Sequence, residues 1–213
     1  MLFNSYEFIF LFFPIVLSIY FILGKKLNNA ANAWLMLASL FFYGYWNVDY
    51  LPLLVGSILV NYLIAGWIIK SRSRLSFGIG LIFNIGLLGY YKYFDFFLEN
   101  LNRLGTDFEL LNVILPLGIS FFTITQLLYL FDCYEGVAKD HDFINYALFV
   151  SFFPHLMAGP ILYHRQMMKQ FRDPTLRLLK WSNISQGLTL FVIGLVKKVI
   201  IADQLSPYVN LGY

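Results

Sequence analysis

Long stretches without Lys, Arg, Asp or Glu constrain this chain more than any other feature of its sequence. Each stretch is close to the roughly 20 residues that a helix needs to cross a bilayer. They cover residues 8–24, 27–48, 50–69, 75–91, 110–131, 143–164 and 181–196. With 59% hydrophobic and 13% charged residues, the chain is too apolar for a soluble core. The sequence predicts an all-α, polytopic membrane bundle of about six to seven apolar helices, forming a single domain over residues 1–213.

Several other classes of protein are disfavoured by the same sequence. Unbroken apolar runs such as residues 51–69 lack the in-out alternation of an outer-membrane barrel. The single cysteine, Cys133, cannot form an internal disulfide, and no Cys/His cluster has the spacing of metal ligands, so no metal site is expected. The formal charge of +3 is too small to indicate binding to nucleic acid.

The distribution of Lys and Arg predicts the topology. The loops at 25–26 and 70–74 are basic and should be cytoplasmic, whereas the turn at Asp49 is not, so the N-terminus is expected outside. The loop at 165–180 is basic as well. If every later run crossed the membrane, this loop would lie outside, so one run after residue 74 should fail to span.

The run 143–164 is the favoured candidate for a re-entrant or broken segment. Pro154 removes a backbone donor from the helix, and Gly159–Pro160 is a second break about one turn later. Such irregular backbone is tolerated at membrane depth only where protein or a water-filled cavity surrounds it. The glycine-rich run 75–91 and the run 110–131, which contains proline and glycine, remain alternatives.

Two connecting segments have the composition of amphipathic anchors in the headgroup layer. Residues 90–105 mix aromatic and charged side chains, and residues 165–181 interleave Arg and Lys with Met, Phe, Leu and Trp. A sharper interpretation of the second segment is a basic surface that attracts an anionic donor such as a coenzyme A nucleotide.

Five blocks of sequence, taken together and in this order, resemble the N-terminal half of the membrane-bound O-acyltransferase family. The similarity is greatest to its bacterial alginate O-acetyltransferase branch, which also includes enzymes that O-acetylate peptidoglycan and D-alanylate teichoic acid. The blocks are YGYWNVDYL (43–51), GYYKYFDFF (89–97), LPLGISFFTITQLLYLFDCYEG (115–136), NYALFVSFFPHLMAGPILYHRQM (145–167) and GLVKKVIIAD (194–203).

This resemblance implies a multi-pass enzyme of the bacterial cytoplasmic (inner) membrane, surrounded by membrane lipid. Such an enzyme passes an acyl group from a cytoplasmic donor, such as acetyl-CoA, through a tunnel to a hydroxyl outside. The implied acceptor is a polysaccharide such as alginate, and an extracytoplasmic partner protein usually takes part. No bound cofactor is implied. The donor-side basic face would comprise Arg165, Lys169, Arg172, Lys197 and Lys198.

The family's essential histidine, in a Trp-His-Gly type motif, and its FDFSGY-like block do not occur in residues 1–213. We therefore expect no catalytic residue in this chain. We also expect that the chain is C-terminally truncated and that residues 1–213 alone are inactive.

Three histidines require interpretation. His155 follows Pro154 and is expected to stabilise the helix break, by donating to a carbonyl that the proline leaves without a partner. Lining of the tunnel and direct catalysis are the alternatives for His155. We expect His141 to be solvated in a charged loop and His164 to reach the membrane interface.

Polar residues within the apolar runs are expected to bond across helices. They are Asn61, Asn84, Thr123, Thr125 and Gln126.

The functional alternatives left open fall into two groups. Within the same family, the acceptor could instead be peptidoglycan or teichoic acid. Outside enzymes, the alternatives are a transporter of a glycan precursor and a non-catalytic membrane scaffold. The chain lacks the matched pair of interrupted helices that is typical of inverted-repeat transporters, which disfavours the first of these two.

Overall fold

The structure is a computed structural model, and it describes residues 1–25, 28–138, 141–156, 159 and 162–210. The described residues are mostly helical and include no β-strand, which confirms the predicted all-α class. The α-helices are α1 (Phe13–Gly24), α2 (Asn28–Trp46), α3 (Leu51–Ser71), α4 (Arg74–Leu88), α5 (Phe94–Arg103), α6 (Ile119–Tyr134), α7 (Phe143–Ser151), α8 (Phe153–Leu156), α9 (His164–Arg172), α10 (Trp181–Val196) and α11 (Asp203–Asn210).

Short π-helical and 3₁₀ segments connect several of these helices. The π-helical segments are Glu7–Phe12, Gly89–Tyr93 and Lys197–Ala202, and the 3₁₀ segments are Val48–Tyr50 and Pro174–Arg177. Because of them, neighbouring helices join into longer stretches.

Within the described residues, four helical stretches are long and apolar enough to cross a membrane. They are Glu7–Gly24, Val48–Ser71, Arg74–Arg103 and Trp181–Pro207. These stretches contain four of the seven predicted apolar runs, and the described residues fit a helical membrane bundle.

The stretch Arg74–Arg103 changes the interpretation of residues 90–105. The sequence predicts a separate interfacial segment there, but α4 continues through a π-helical turn into α5. The charged residues of 90–105 therefore form the end of one long helical stretch, because a π-helical turn inserts a residue without ending the helix.

The run 110–131 is helical only from Ile119 onward. Pro116 lacks a backbone N–H, and Gly118 adopts φ +71°, a left-handed conformation that is unfavourable for residues with a Cβ. The resulting helix α6 has 16 residues and is too short to count among the four long stretches.

The chain divides into two compact units, which are described separately. Unit 1 comprises Met1–Ala31 and Asp173–Tyr213, and unit 2 comprises Asn32–Arg172. In unit 1, the ring of Phe191 lies 6.0 Å from that of Phe13, and the segment Pro174–Arg177 packs against α1. In unit 2, α3, α4 and α6 pack against one another, and α7 and α9 pack on α6.

Unit 2 has two ends that side-chain contacts define. At one end, a Cβ at Gly136 would lie 2.8 Å from Nη2 of Arg72, so the loop after α3 touches the loop after α6. We call this the basic end. At the opposite end, the Tyr50 hydroxyl donates to the Ile114 carbonyl over 2.6 Å, which links the start of α3 to the segment before α6.

The run 143–164 begins and ends near the basic end of unit 2. It begins after His141, whose Nε2 would lie 2.8 Å from a Cβ at Gly66 in the last two turns of α3, and it reaches Leu156, whose carbonyl oxygen would lie 2.6 Å from a Cβ at Gly118. By His164 the chain has returned, and that ring lies 4.7 Å from Tyr129 near the end of α6. This path agrees with the re-entrant run predicted from the Lys and Arg distribution.

Candidate functional site

A break in the helical backbone lies at the centre of the run 143–164. Helix α7 ends at Ser151, and Phe152 leaves helical geometry with ψ 108°. Pro154 has no N–H to give to the carbonyl four residues earlier, and the N–H of Phe153 donates to Oγ of Ser39 over 3.3 Å. The last turn of α7 therefore has carbonyl groups without their helical donors.

His155 is buried beside this break and bonds to it. Its side chain is 7% exposed, and a ring N–H donates to the carbonyl of Phe149, one of those left without a helical donor. Nδ1 has no hydrogen-bond partner among the residues that the structure describes. In a neutral imidazole with one N–H, this second nitrogen is an acceptor. In a continuous helix the Phe149 carbonyl would accept from the N–H of Phe153, and not from residue 154. That His155 stabilises the helix break stays a prediction.

Gly159 is held against His155. A Cβ at position 159 would lie 2.4 Å from Cβ of His155, and the N–H of Gly159 donates to the His155 carbonyl over 3.0 Å. Any larger residue would push these two segments apart, because real Cβ atoms do not approach so closely. Pro160, the remaining residue of the predicted break, lies outside the described residues.

The basic residues of α9 line a pocket at the basic end of unit 2. Arg165, Lys169 and Arg172 occur at positions i, i+4 and i+7, and so share one face of the helix. The pocket has a volume of about 160 Å³. Its other walls are Val137, Ala138, His164 and Met168. Three cationic side chains around so small a volume make a strongly positive site, suited to an anion. We call it the basic pocket.

An adjoining face of α9 anchors the helix. Met167, Met168 and Phe171 are buried, and the side chain of Asn32 bonds to the Phe171 carbonyl over 3.0 Å. This face fixes α9 against the bundle, so the basic face is presented by a firmly packed helix. The amphipathic character predicted for this segment is present.

His164 does not reach toward the membrane interface, so the expectation for this residue is wrong. It is 6% exposed and lies between Tyr129 and Phe149, with ring centroids 4.7 and 5.3 Å away. The physical reason is its position one turn before Met168, on the face of α9 that packs into the bundle. The spacing of His164, Met167, Met168 and Phe171 indicates this face in the sequence.

His141 is exposed, as predicted, although its ring stacks on that of Tyr62. Partial burial against Tyr62 and Gly66, and secondarily the charge of Lys70, lower the pKa of His141 below its ordinary value. These contacts restrict the side chain of His141 more than that of a fully solvated loop residue.

The remaining basic residues predicted for the donor-side face, Lys197 and Lys198, belong to unit 1. They lie in the π-helical segment Lys197–Ala202, and the Lys198 ammonium pairs with the carboxylate of Asp203. Arg165, Lys169 and Arg172 thus line one pocket of unit 2, whereas Lys197 and Lys198 lie in a π-helical segment of unit 1.

Buried polar residues link the helices of unit 2. Nε2 of Gln126 donates to Oγ of Ser57 over 3.0 Å, and the Tyr146 hydroxyl donates to Oε1 of Gln126 over 3.2 Å. Nδ2 of Asn84 donates to Oδ1 of Asn61 over 2.6 Å. These bonds cross α3, α4, α6 and α7, and they confirm the prediction for Asn61, Asn84 and Gln126 that polar groups in apolar runs pair between helices.

Comparison with known proteins identifies a family model and several relatives to which this chain is similar. The family model described as "MBOAT, membrane-bound O-acyltransferase family" matches residues 31–210. The chain is 45% identical to the peptidoglycan O-acetyltransferase of Helicobacter pylori, an alignment that covers 100% of this chain and 46% of that protein. It is 39% identical to the "Probable alginate O-acetylase" of Pseudomonas putida, with 97% of this chain and 44% of that protein covered.

The corresponding protein of Pseudomonas aeruginosa, also named "Probable alginate O-acetylase", is 37% identical over 97% of this chain and 41% of its own length. The chain thus spans less than half the length of these relatives, and it aligns with their N-terminal part. No solved structure matches it.

Proposed function

Because the chain belongs to the membrane-bound O-acyltransferase family, we propose that it is part of an enzyme that O-acetylates a cell-surface polysaccharide at the bacterial cytoplasmic membrane. Two of its relatives are named for acetylation of peptidoglycan and of alginate. The four apolar helical stretches support a location in a membrane.

The observation that carries the proposal within this chain is the basic pocket. An acyl donor such as acetyl-CoA carries several phosphate charges, and Arg165, Lys169 and Arg172 offer guanidinium and ammonium groups within one small pocket. The same end of unit 2 includes the basic loop 70–74, whose charge predicts a cytoplasmic position. A cytoplasmic donor would therefore meet this pocket first.

The re-entrant run gives the donor's acyl group a direction in which to move. It extends from the basic end to the level of Gly118, where its backbone is broken and His155 is buried. Broken backbone surrounded by protein is a usual way to line a path through a membrane protein. We propose that the acyl group passes along this segment to an acceptor hydroxyl outside, with an extracytoplasmic partner protein that presents the polysaccharide.

The acceptor is proposed to be peptidoglycan or an alginate-like exopolymer. The 45% identity to a peptidoglycan O-acetyltransferase, against 39% and 37% for two alginate O-acetylases, makes peptidoglycan the first acceptor to test. Both acceptors use the same chemistry at a sugar hydroxyl, so the pocket has the same role in either case.

The proposal can be tested in the source bacterium, by measuring base-labile acetate on purified peptidoglycan and on secreted polysaccharide. We expect deletion of the gene to remove the acetate from one of the two polymers, and the intact gene to restore it. An Arg165→Gln/Arg172→Gln double variant should restore at least tenfold less, because each lost charge-assisted hydrogen bond costs about 1.5–3 kcal/mol of donor binding.

Arg74→Gln is the matched control, since Arg74 lies near the basic end but does not line the pocket. It should restore acetylation to the level of the unmodified gene. Unchanged acetate on both polymers after deletion would contradict the proposed activity, and full restoration by the double variant would contradict the role of the pocket.

A further inference from the structure

Unit 1 contains a groove along α1. Its first wall is a single stripe along α1 and the residue that follows it, in which successive residues are alternately three positions and one position apart. These residues are Pro14, Leu17, Ser18, Phe21, Ile22 and Lys25. Leu179 and Ile184, next to and within the start of α10, form the second wall, and the groove has a volume of about 380 Å³.

The groove is apolar along its length and positively charged at one end. Among the described residues of the lining, only Ser18 and Lys25 contribute polar side-chain atoms, and Lys25 follows directly after the last turn of α1. From Pro14 to Lys25 the helix rises by about 16 Å, roughly half the thickness of a hydrocarbon core. A molecule that fills the groove must therefore be long, thin and apolar, with a negative group at the Lys25 end.

Lys25 is available to such a negative group. Its side chain is exposed, and no ion pair or hydrogen bond joins it to any other residue within the part of the chain that the structure describes. It also lies at the end of α1 that the basic loop 25–26 predicts to be cytoplasmic. Anionic headgroups are concentrated at this surface of the membrane.

The volume of the groove indicates what it can hold. At about 30 Å³ for each water-sized group, 380 Å³ holds about a dozen such groups, which suits one hydrocarbon chain. A free phosphate would contact Lys25 and leave the apolar walls unfilled.

We propose that this groove binds one acyl chain of an anionic phospholipid, whose phosphate lies at Lys25. The chain lies along Leu17, Phe21 and Ile184, where it replaces looser contacts with bulk lipid by contacts with fixed side chains. Because bulk lipid is equally apolar, the hydrocarbon walls give shape selectivity, and the charge at Lys25 gives selectivity for the headgroup.

The test uses the complete native protein in nanodiscs that contain a phosphatidylglycerol with a photoactivatable diazirine on its acyl chain. Cross-linked peptides are then mapped by mass spectrometry. We expect cross-links in residues 14–22 and 179–184. Ser18→Trp should fill the groove and reduce these cross-links at least fivefold. Leu190→Trp, at an exposed position of α10 outside the groove, is the matched control and should leave them unchanged.

The headgroup is tested on the unmodified protein by comparing phosphatidylglycerol with phosphatidylcholine that carries the same diazirine chain. We expect about fivefold more cross-linking with the anionic lipid, which is the equivalent of the roughly 1 kcal/mol that one basic residue contributes near an anionic surface. Lys25→Gln should abolish this preference, and Lys70→Gln should retain it. Equal labelling by the two lipids, or labelling of the groove that Ser18→Trp does not reduce, would overturn the proposal.

Discussion

At the scale of single residues, His155 shows how a proline and a histidine act together inside an apolar run. Pro154 leaves the Val150 carbonyl without a helical donor, and the N–H of Phe153 donates to Ser39, so the imidazole supplies the donor for the Phe149 carbonyl. An unsatisfied carbonyl surrounded by apolar side chains would cost about 1–3 kcal/mol. The histidine is therefore explained by hydrogen bonding alone, before any chemical role is assigned to it.

Two substitutions of His155 separate the hydrogen bond from the shape of the side chain. His155→Leu keeps a similar volume but removes the donor, and we expect it to lower the free energy of unfolding by about 1–3 kcal/mol. His155→Gln keeps a side-chain N–H and should cost less. The measurement is the thermal unfolding midpoint of the detergent-solubilised protein, together with its acetyl transfer. A His155→Gln protein that is stable but has lost all transfer would contradict a purely structural role.

Gly118 is the residue whose conformation ties the re-entrant run to the start of α6. It has φ +71°, and a Cβ there would lie 2.6 Å from the Leu156 carbonyl oxygen. Gly118→Ala should destabilise the protein by about 2 kcal/mol or more, since the left-handed conformation alone costs about 1–2 kcal/mol for an L-residue.

The matched control is Gly78→Ala within α4, where an added Cβ meets nothing within 4 Å. It should be neutral or stabilise the helix by about 0.5–1 kcal/mol. Unfolding midpoints of the two variants in the same detergent provide the comparison. Equal midpoints for both variants would show that the contact between Gly118 and Leu156 is not tight.

At the scale of elements, the principal feature is that α7, α8 and α9 form one excursion that starts and finishes at the basic end. Counting of basic loops predicts that one run fails to span, and Pro154 indicates which run. The depth that it reaches could not be predicted, because it depends on the contact of Leu156 with Gly118 across unit 2. The burial of His164 likewise follows from how α9 packs on α6 and α7.

Cysteine accessibility in whole cells tests this topology. In a background without other accessible thiols, single cysteines replace the half-buried Ser73 after α3 and the exposed Gln170 in α9 and Asp49 before α3. A membrane-impermeant maleimide should label Asp49→Cys in intact cells, and it should label Ser73→Cys and Gln170→Cys only after the cytoplasmic side is opened. Labelling of Ser73→Cys and Gln170→Cys from opposite sides would show that the run 143–164 crosses the membrane.

At the scale of the whole molecule, composition and the requirement that lipid-exposed backbone be hydrogen-bonded are sufficient to predict an all-helical membrane protein. They overestimate how many runs form long helices, because Gly118 and Pro154 shorten two of them. The basic residues of α9 were predicted as a group, and Arg165, Lys169 and Arg172 do share a pocket. That Lys197 and Lys198 lie in the other unit depends on tertiary packing, which their spacing does not encode.

The central claim is that the basic pocket takes the anionic acyl donor, and its most direct test is equilibrium binding of radiolabelled acetyl-CoA to the complete protein in nanodiscs. The account predicts saturable binding that is weakened at least tenfold in the Arg165→Gln/Arg172→Gln protein and unchanged in the Arg74→Gln protein. Saturable binding of equal strength in all three proteins, or no saturable binding to the unmodified protein, would contradict it.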